Sequence, residues 1–279
     1  MWRVTHAGGV SALRVMEAEQ GAAATREAAA MGAAAVGGIP VSRIETQGTW
    51  PDANGAARPV FLLEWLFGST VMAALLGRPW RAEALGRRFG RMQARIHALP
   101  APPELRTEPD RWLSLIEAEE PALVAHLRAF APRTDALLHL DYHPLNVLLE
   151  SGRDFDPARP IPTSGPVVGV IDWTNARAGD PRADYANTAA LIAVMRGWTG
   201  LPPRLETAAR HRLLRGWQRG YRDVAGPLRD LAPFHAWAGA NIHRDVAHRL
   251  GQPDSYVTPA FLDRLRRHTV HWKRRAGVA

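Results

Sequence analysis

Apolar residues recur at helical spacing through residues 80–99, where Leu85, Phe89, Met92, Ile96 and Leu99 alternate with arginines, so the pattern predicts a long helix packing one face. Pro100 to Pro103 ends it. An alanine-rich stretch, 22–35, carries Glu27 and stops before Gly37-Gly38 and Pro40, which reads as an earlier helix. Shorter apolar runs at 10–16, 41–47 and 59–65 read as strands. The last two flank a turn-rich 50–58 containing Pro51-Asp52 and Asn54-Gly55, a strong hairpin signal. Residues 66–69 resemble a hinge, and beyond them the pattern is mainly helical: 111–130 interrupted by Pro121, then 184–197, 205–224, 231–250 and 259–273. Strands at 136–140, 147–149 and 167–171 are inserted among these helices, with the proline-rich stretch 150–166 expected to be a surface loop. The chain thus reads as α+β, with a small strand-rich part over 1–65 and a larger helical part over 66–279.

Composition narrows the function. The 279 residues, 46% of them hydrophobic, suit one large domain or two lobes and bury enough core to need no disulfide or structural metal. The absence of cysteine excludes a thiol nucleophile and any zinc-thiolate site. Residues 1–9 have no apolar leader and the weakly apolar stretch 28–41 is Ala and Gly stopped by Pro40, so the expectation is a cytoplasmic protein with no membrane partner. The net charge of +8 invites a nucleic-acid reading, but residues 1–200 carry −1 and residues 201–279 carry +9. Arginine outnumbers lysine 34 to 1, which reads as a coding bias, and no nucleic-acid partner is expected. A basic nucleic-acid binder stays open as an alternative whose mark would be a steep salt dependence.

The chemistry concentrates in Leu138-His139-Leu140-Asp141-Tyr142-His143-Pro144-Leu145-Asn146-Val147-Leu148-Leu149, followed by Gly169-Val170-Ile171-Asp172-Trp173. Phosphoryl transfer from a nucleotide asks for a carboxylate to orient and deprotonate the attacking hydroxyl. It also asks for a second carboxylate and an amide oxygen to hold magnesium over the phosphates. Asp141, Asp172 and Asn146 supply that set in the order H-x-D-x-x-x-x-N, then D. A lone motif of this kind recurs by chance. Here the apolar triplet after Asn146, the Ile-Asp-Trp strand end and Gly179-Asp180-Pro181-Arg182-Ala183-Asp184-Tyr185-Ala186 at a helix start occur together and in order.

With these motifs the chain resembles the aminoglycoside phosphotransferase and choline kinase-like family, whose sequences read similarly to HGDxHPGNVLL and then IDWxxAxxGDPxxDLA. The resemblance implies a bilobal protein kinase-like fold, with 1–65 as a nucleotide-binding N-lobe and 66–279 as a C-lobe. It implies Asp141 as catalytic base, Asn146 and Asp172 as Mg2+ ligands, and ATP or GTP as donor to a small-molecule hydroxyl. Asp184 would anchor the helix it opens, and His139 would orient the loop backbone. The match is looser before the hinge. Leu13-Arg14-Val15 and Arg26-Glu27 resemble the family's phosphate-binding strand and its glutamate partner, with Arg14 in place of the usual Lys; an ordinary surface ion pair would look the same. Glu64, Trp65 and Leu66 fall where kinases bind the adenine edge.

Only 13 residues precede Arg14, so the N-lobe reads as shortened, and a nucleotide-binding pseudokinase or regulatory protein is the alternative to an active kinase. His268 and His271 lack a third metal ligand at suitable spacing. Lys273 is the only lysine, so no G-x-x-x-x-G-K-[ST] loop exists, and no G-x-S-x-G elbow is present. Because the positive excess falls in the helices that build the acceptor pocket in this family, a neutral or anionic acceptor is expected over a polycation.

Overall fold

The computed structural model describes residues 1–108, 110–150, 165–194, 202–253 and 255–278. The proline-rich stretch between Glu150 and Pro166 and the end of the predicted helix 184–197 lie largely outside them.

Four strands form an antiparallel sheet in the order β1-β2-β4-β3: β1 (Trp2–His6), β2 (Gly9–Val15), β3 (Ile44–Pro51) and β4 (Ala57–Glu64). The predicted runs account for β2, β3 and β4. β1 is an addition, too polar to announce itself. β3 extends to Pro51 because Asp52 closes a tighter turn than expected, its carboxylate accepting the N–H groups of Asn54 and Ala56 at 2.8 and 2.9 Å. Between β2 and β3 runs α1 (Gly21–Val36). Its buried positions Ala24, Glu27, Ala30, Met31 and Ala34 fall three or four residues apart, so a single stripe packs and carries Glu27 inward with it.

β5 (Gly68–Thr70) takes up the second half of the expected hinge and pairs with β7 (Val147–Glu150), which pairs with β8 (Val167–Val170). β6 (Ala136–Leu138) pairs separately with β9 (Arg177–Gly179). Helices α2 (Val71–Gly77), α3 (Ala82–His97), α4 (Pro103–Arg106), α5 (Arg111–Ser114), α6 (Pro121–Ala129), α7 (Pro181–Val194), α8 (Pro203–Ala225), α9 (Ala232–Ala247) and α10 (Pro259–Ala276) complete the chain.

Two apolar clusters result. One joins the N-terminal sheet and α1 to α2, α3 and α8, and the other lies among α5, α6, α7, α9 and α10. α3 and α8 pack backbone to backbone. A Cβ added at Gly86 or Gly90 would overlap the carbonyl oxygen of Leu213 or Trp217, and one at Gly216 or Gly220 that of Glu83 or Arg87. The G-x-x-x-G spacing on both helices permits this approach, which places Trp217 and Tyr221 beneath the loop that follows β6. Among the described residues no helix is long and apolar enough to cross a membrane.

Candidate active site

Loop 139–146 joins β6 to β7 and carries Asp141 and Asn146. Asp172 follows β8 by two residues. Val147 pairs with Val170 and the Ile171 N–H donates to the Asn146 carbonyl at 3.0 Å, so these two ends run side by side. Asn146 Nδ2 donates to the Asp141 carbonyl at 3.0 Å and to Asp141 Oδ2 at 3.2 Å, and lies 3.3 Å from His143 Nε2. The amide must present its nitrogen to that carboxylate, since its oxygen would be repelled there; the amide oxygen is left without a partner among the described residues. Asp141 and Asp172 both line a cavity of about 320 Å3, together with Asn175, Asn187, Asp245 and Arg249.

The loop is held in a conformation it would not adopt alone. Leu140 has φ 57° and Asp172 φ 63°, left-handed values that cost a β-substituted residue about 1–2 kcal/mol. Both backbone groups of Leu140 are tied to α7: its N–H donates to Asp184 Oδ1 at 2.9 Å and its carbonyl accepts from Asn187 Nδ2 at 2.8 Å. Asp184 Oδ2 accepts the His139 N–H at 2.9 Å and lies 2.9 Å from His97 Nε2, whose ring is fixed in turn by the Tyr221 hydroxyl at 2.8 Å from Nδ1. Burial pushes the Asp184 carboxyl up, but the hydrogen bond from His97, its charge and the loop N–H outweigh burial and hold the group below its ordinary value. Asp184 therefore anchors the loop before it more than the helix it opens, which corrects the expectation for this residue.

His139 accepts the Asp141 N–H on Nδ1 at 3.3 Å and donates from Nε2 to the Ile171 carbonyl at 3.1 Å. Burial disfavours the imidazolium and lowers its pKa despite nearby carboxylates, so the ring is neutral with its proton on Nε2. It joins the two acidic segments through their backbones.

Across the cleft, Arg14 on β2 donates from Nη1 to Glu27 Oε1 at 2.6 Å, and from Nη2 to Thr174 Oγ1 at 2.7 Å and Asp172 Oδ1 at 3.3 Å. Thr174 also donates to Asp172 Oδ1 at 2.7 Å. Burial raises the Glu27 carboxyl above its ordinary value against the pull of Arg14. Burial acts the same way on Asp172, but the Thr174 hydrogen bond and the Arg14 charge outweigh it and the carboxyl ends below its ordinary range. Arg14 and Glu27 are thus a cleft pair rather than a surface one, and they line a small cavity of about 60 Å3 with Ala12, Leu63, Ile171 and Asp172.

Glu64, Trp65 and Leu66 are not among the residues lining that cavity. Glu64 is exposed at the end of β4, Trp65 is half-buried with the Arg3 guanidinium 5.4 Å from its ring, and Leu66 lies against Gly169 of β8. Trp65 and Leu66 fall between β4 and β5, outside both ladders.

The donor set suits a hard divalent cation. Asp172 Oδ2 and the Asn146 amide oxygen have no protein partner among the described residues; Asp172 lines the cavity with Asp141, and Asn146 is bonded to Asp141 and runs beside Ile171. Among the described residues no three acidic, histidine or cysteine side chains are placed to hold a metal ion together, so a metal here would complete its shell from phosphate and water.

The positive excess of residues 201–279 does not gather at this cavity. Three carboxylates, Asp141, Asp172 and Asp245, line it against one cation, Arg249. The basic residues of α8 and α10 face elsewhere, because amphipathic helices turn their charged faces outward and the sequence total cannot report direction. Burial raises the Asp245 carboxyl, with Arg244 opposing. Sequence reasoning does not single out Thr174 or Asn187, and it offers Asp245 only as one of six acids in residues 201–279. Thr174 sits two residues after Asp172, which is the one signal that could have found it.

A family model described as the phosphotransferase enzyme family matches residues 1–227. Among solved structures, a Ralstonia eutropha JMP134 protein assigned to the aminoglycoside phosphotransferases aligns over 99% of this chain and 88% of its own, with TM-score 0.58 and 19% identity. An aminoglycoside-3'-phosphotransferase of type VIII aligns over 86% of this chain and 87% of its own, with TM-score 0.56 and 20% identity. A Plasmodium vivax ethanolamine kinase covers 97% of this chain and 78% of its own, with TM-score 0.54 and 11% identity. At these identities the likeness is one of fold. No curated protein matches the sequence.

Proposed function

The chain belongs to the phosphotransferase enzyme family, and from that premise we propose that it moves the γ-phosphoryl group of ATP or GTP to a hydroxyl of a small molecule in the cavity beside Asp141. The observation that carries this reading is the convergence of Asp141 and Asp172 on one cavity, with Asn146 bonded to the first and running beside the second.

In this reading the Asp141 carboxylate accepts the proton of the acceptor hydroxyl as the hydroxyl oxygen attacks the γ-phosphorus, whose bond to the β–γ bridging oxygen breaks and releases the nucleoside diphosphate. Asn146 holds that carboxylate in place through its amide N–H. The unpartnered oxygens of Asn146 and Asp172 would hold Mg2+, which when bound neutralises charge building on the phosphate oxygens. Arg14, fixed by Glu27 and Thr174, offers its guanidinium to the phosphates. Residues 1–65 serve as the nucleotide-binding lobe and 66–279 as the acceptor-binding lobe. The backbone groups of Trp65 and Leu66, spared by both ladders, would meet the adenine or guanine edge. A regulator without transfer activity would be expected to lack one of Asp141, Asn146 or Asp172, and all three are in place.

The test is a panel of hydroxyl compounds incubated with Mg-ATP and Mg-GTP and read by mass spectrometry, with wild type beside Asp141→Asn. Transfer by wild type falling by at least about 100-fold in the variant is expected for loss of a general base. Equal transfer by both would overturn the assignment.

A further inference from the structure

The positive charge of residues 201–279 lies mostly away from the Asp141 cavity, and part of it converges at a second place. Arg215, Arg219 and Arg222 lie on successive turns of α8 and line a separate cavity of about 420 Å3, bounded by Tyr185, Tyr221 and the connection from α8 to α9. Among the described residues it shares no lining residue with the cavity beside Asp141 and contains no carboxylate. Arg219 is engaged by Glu83. Arg215 and Arg222 have no acidic partner among the described residues, and the neighbouring Asp223 turns instead to Arg91 at 3.5 Å and Arg87 at 4.0 Å.

The wall between them is preorganised. The Tyr185 ring stacks on Trp217 at 4.3 Å and meets Tyr221 edge-on at 4.9 Å. The Tyr221 hydroxyl is committed to His97, whereas that of Tyr185 has no hydrogen-bond partner among the described residues. The carbonyl end of α8 opposes an anion with roughly half a charge, and Glu83 cancels one of the three guanidiniums, which leaves a positive balance. Two unpaired guanidinium forks and a phenol O–H converging on one concavity match the tetrahedral oxygens of a phosphate group better than a single carboxylate.

We propose that this cavity is a second binding site, for a small phosphorylated molecule, independent of the cleft that holds Arg14 and Asp172. The volume lies within the range of small-molecule sites. Isothermal titration with pyrophosphate in magnesium-free buffer tests it, on wild type, on Arg215→Gln/Arg222→Gln and on Arg14→Gln. Both α8 arginines are exposed and unpaired, so the double variant should melt like wild type. The double variant is expected to weaken pyrophosphate by at least about tenfold, through loss of two charge-assisted hydrogen-bond donors, while Arg14→Gln retains this binding event. Citrate should bind more weakly than pyrophosphate. No pyrophosphate binding to wild type, unchanged binding in the double variant, loss of all binding on Arg14→Gln alone, or tighter binding of citrate would each overturn the proposal.

Discussion

Asp184 accepts the backbone N–H of Leu140 at 2.9 Å, and Leu140 is the residue that carries the loop through left-handed backbone just before Asp141. A carboxylate buried in α7 therefore maintains the strain that aims the proposed base. Asp184→Asn keeps the shape but turns an amide N–H toward one of the loop's two donors and removes the charge beside His97. We expect a loss of about 3 kcal/mol, as for other broken buried pairs. A thermal melt should show a drop of about 6 °C or more for a chain of this size. A melt within about 1 °C of wild type would mean that Asp184 does not hold the loop.

Acid should act through the same residue. The folded-state carboxyls of Asp184 and Asp172 lie below their ordinary value of 3.8. Their stabilisation is present above that pH and is lost as pH falls through the folded values. Glu27 has the opposite sign: its folded value is raised above 4.5, so its contribution is full below that pH and fades as pH rises through the folded value. Urea melts between pH 3 and 6 should show stability falling toward the acid end, with a flatter slope in Asp184→Asn. A parallel slope in the variant would assign acid lability to other groups.

Thr174 binds Arg14 and Asp172 through one hydroxyl, at 2.7 Å each. Thr174→Val should lower kcat/KM by about tenfold, on the order of one charge-assisted hydrogen bond, with little change in melting temperature. Arg14→Lys replaces a fork by a single ammonium that cannot span Glu27 and Thr174 together, and a larger loss is expected. Steady-state kinetics with the nucleotide varied decides both, and wild-type kinetics in Thr174→Val would remove the hydroxyl from the site's support.

Gly90 and Gly220 let α3 and α8 meet at their backbones. Gly90→Ala would drive its methyl into the Trp217 carbonyl, which neither helix can relieve by a side-chain rotation. Overpacking of this kind costs about 1–3 kcal/mol, and more where backbone must move. Calorimetry should place Gly90→Ala well below Gly32→Ala, a control where an added Cβ meets nothing within 4 Å.

The residues of the candidate site were legible because they cluster in sequence. Asp141, Asn146 and Asp172 sit at the ends of short apolar strands, and β7 and β8 pair as adjacent strands across the connection between them. Arg14 and Glu27 were legible as a pair, since a strand and the helix after it pack locally. β1, β5 and β9 were not. β1 is polar and mostly exposed, and the other two are three residues each, too short for a period to register. The helix 111–130 broke into two pieces flanking a turn ahead of Pro121, since proline cannot donate within a helix but suits its first turn.

Residue spacing along the chain set the longer helices and the strands that meet at the site, the inventory of acid, amide and guanidinium, and the order in which they arrive. Those properties are local, set by residue spacing of a few positions. Packing between distant segments alone makes Asp184 serve the loop and not its own helix, links Arg14 to Asp172 through Thr174, and gathers part of the C-terminal arginines beside Tyr185 and away from the Asp141 cavity. Each depends on contacts between residues tens of positions or more apart, or on the direction in which a helix faces, and neither distance nor direction is written in composition or period.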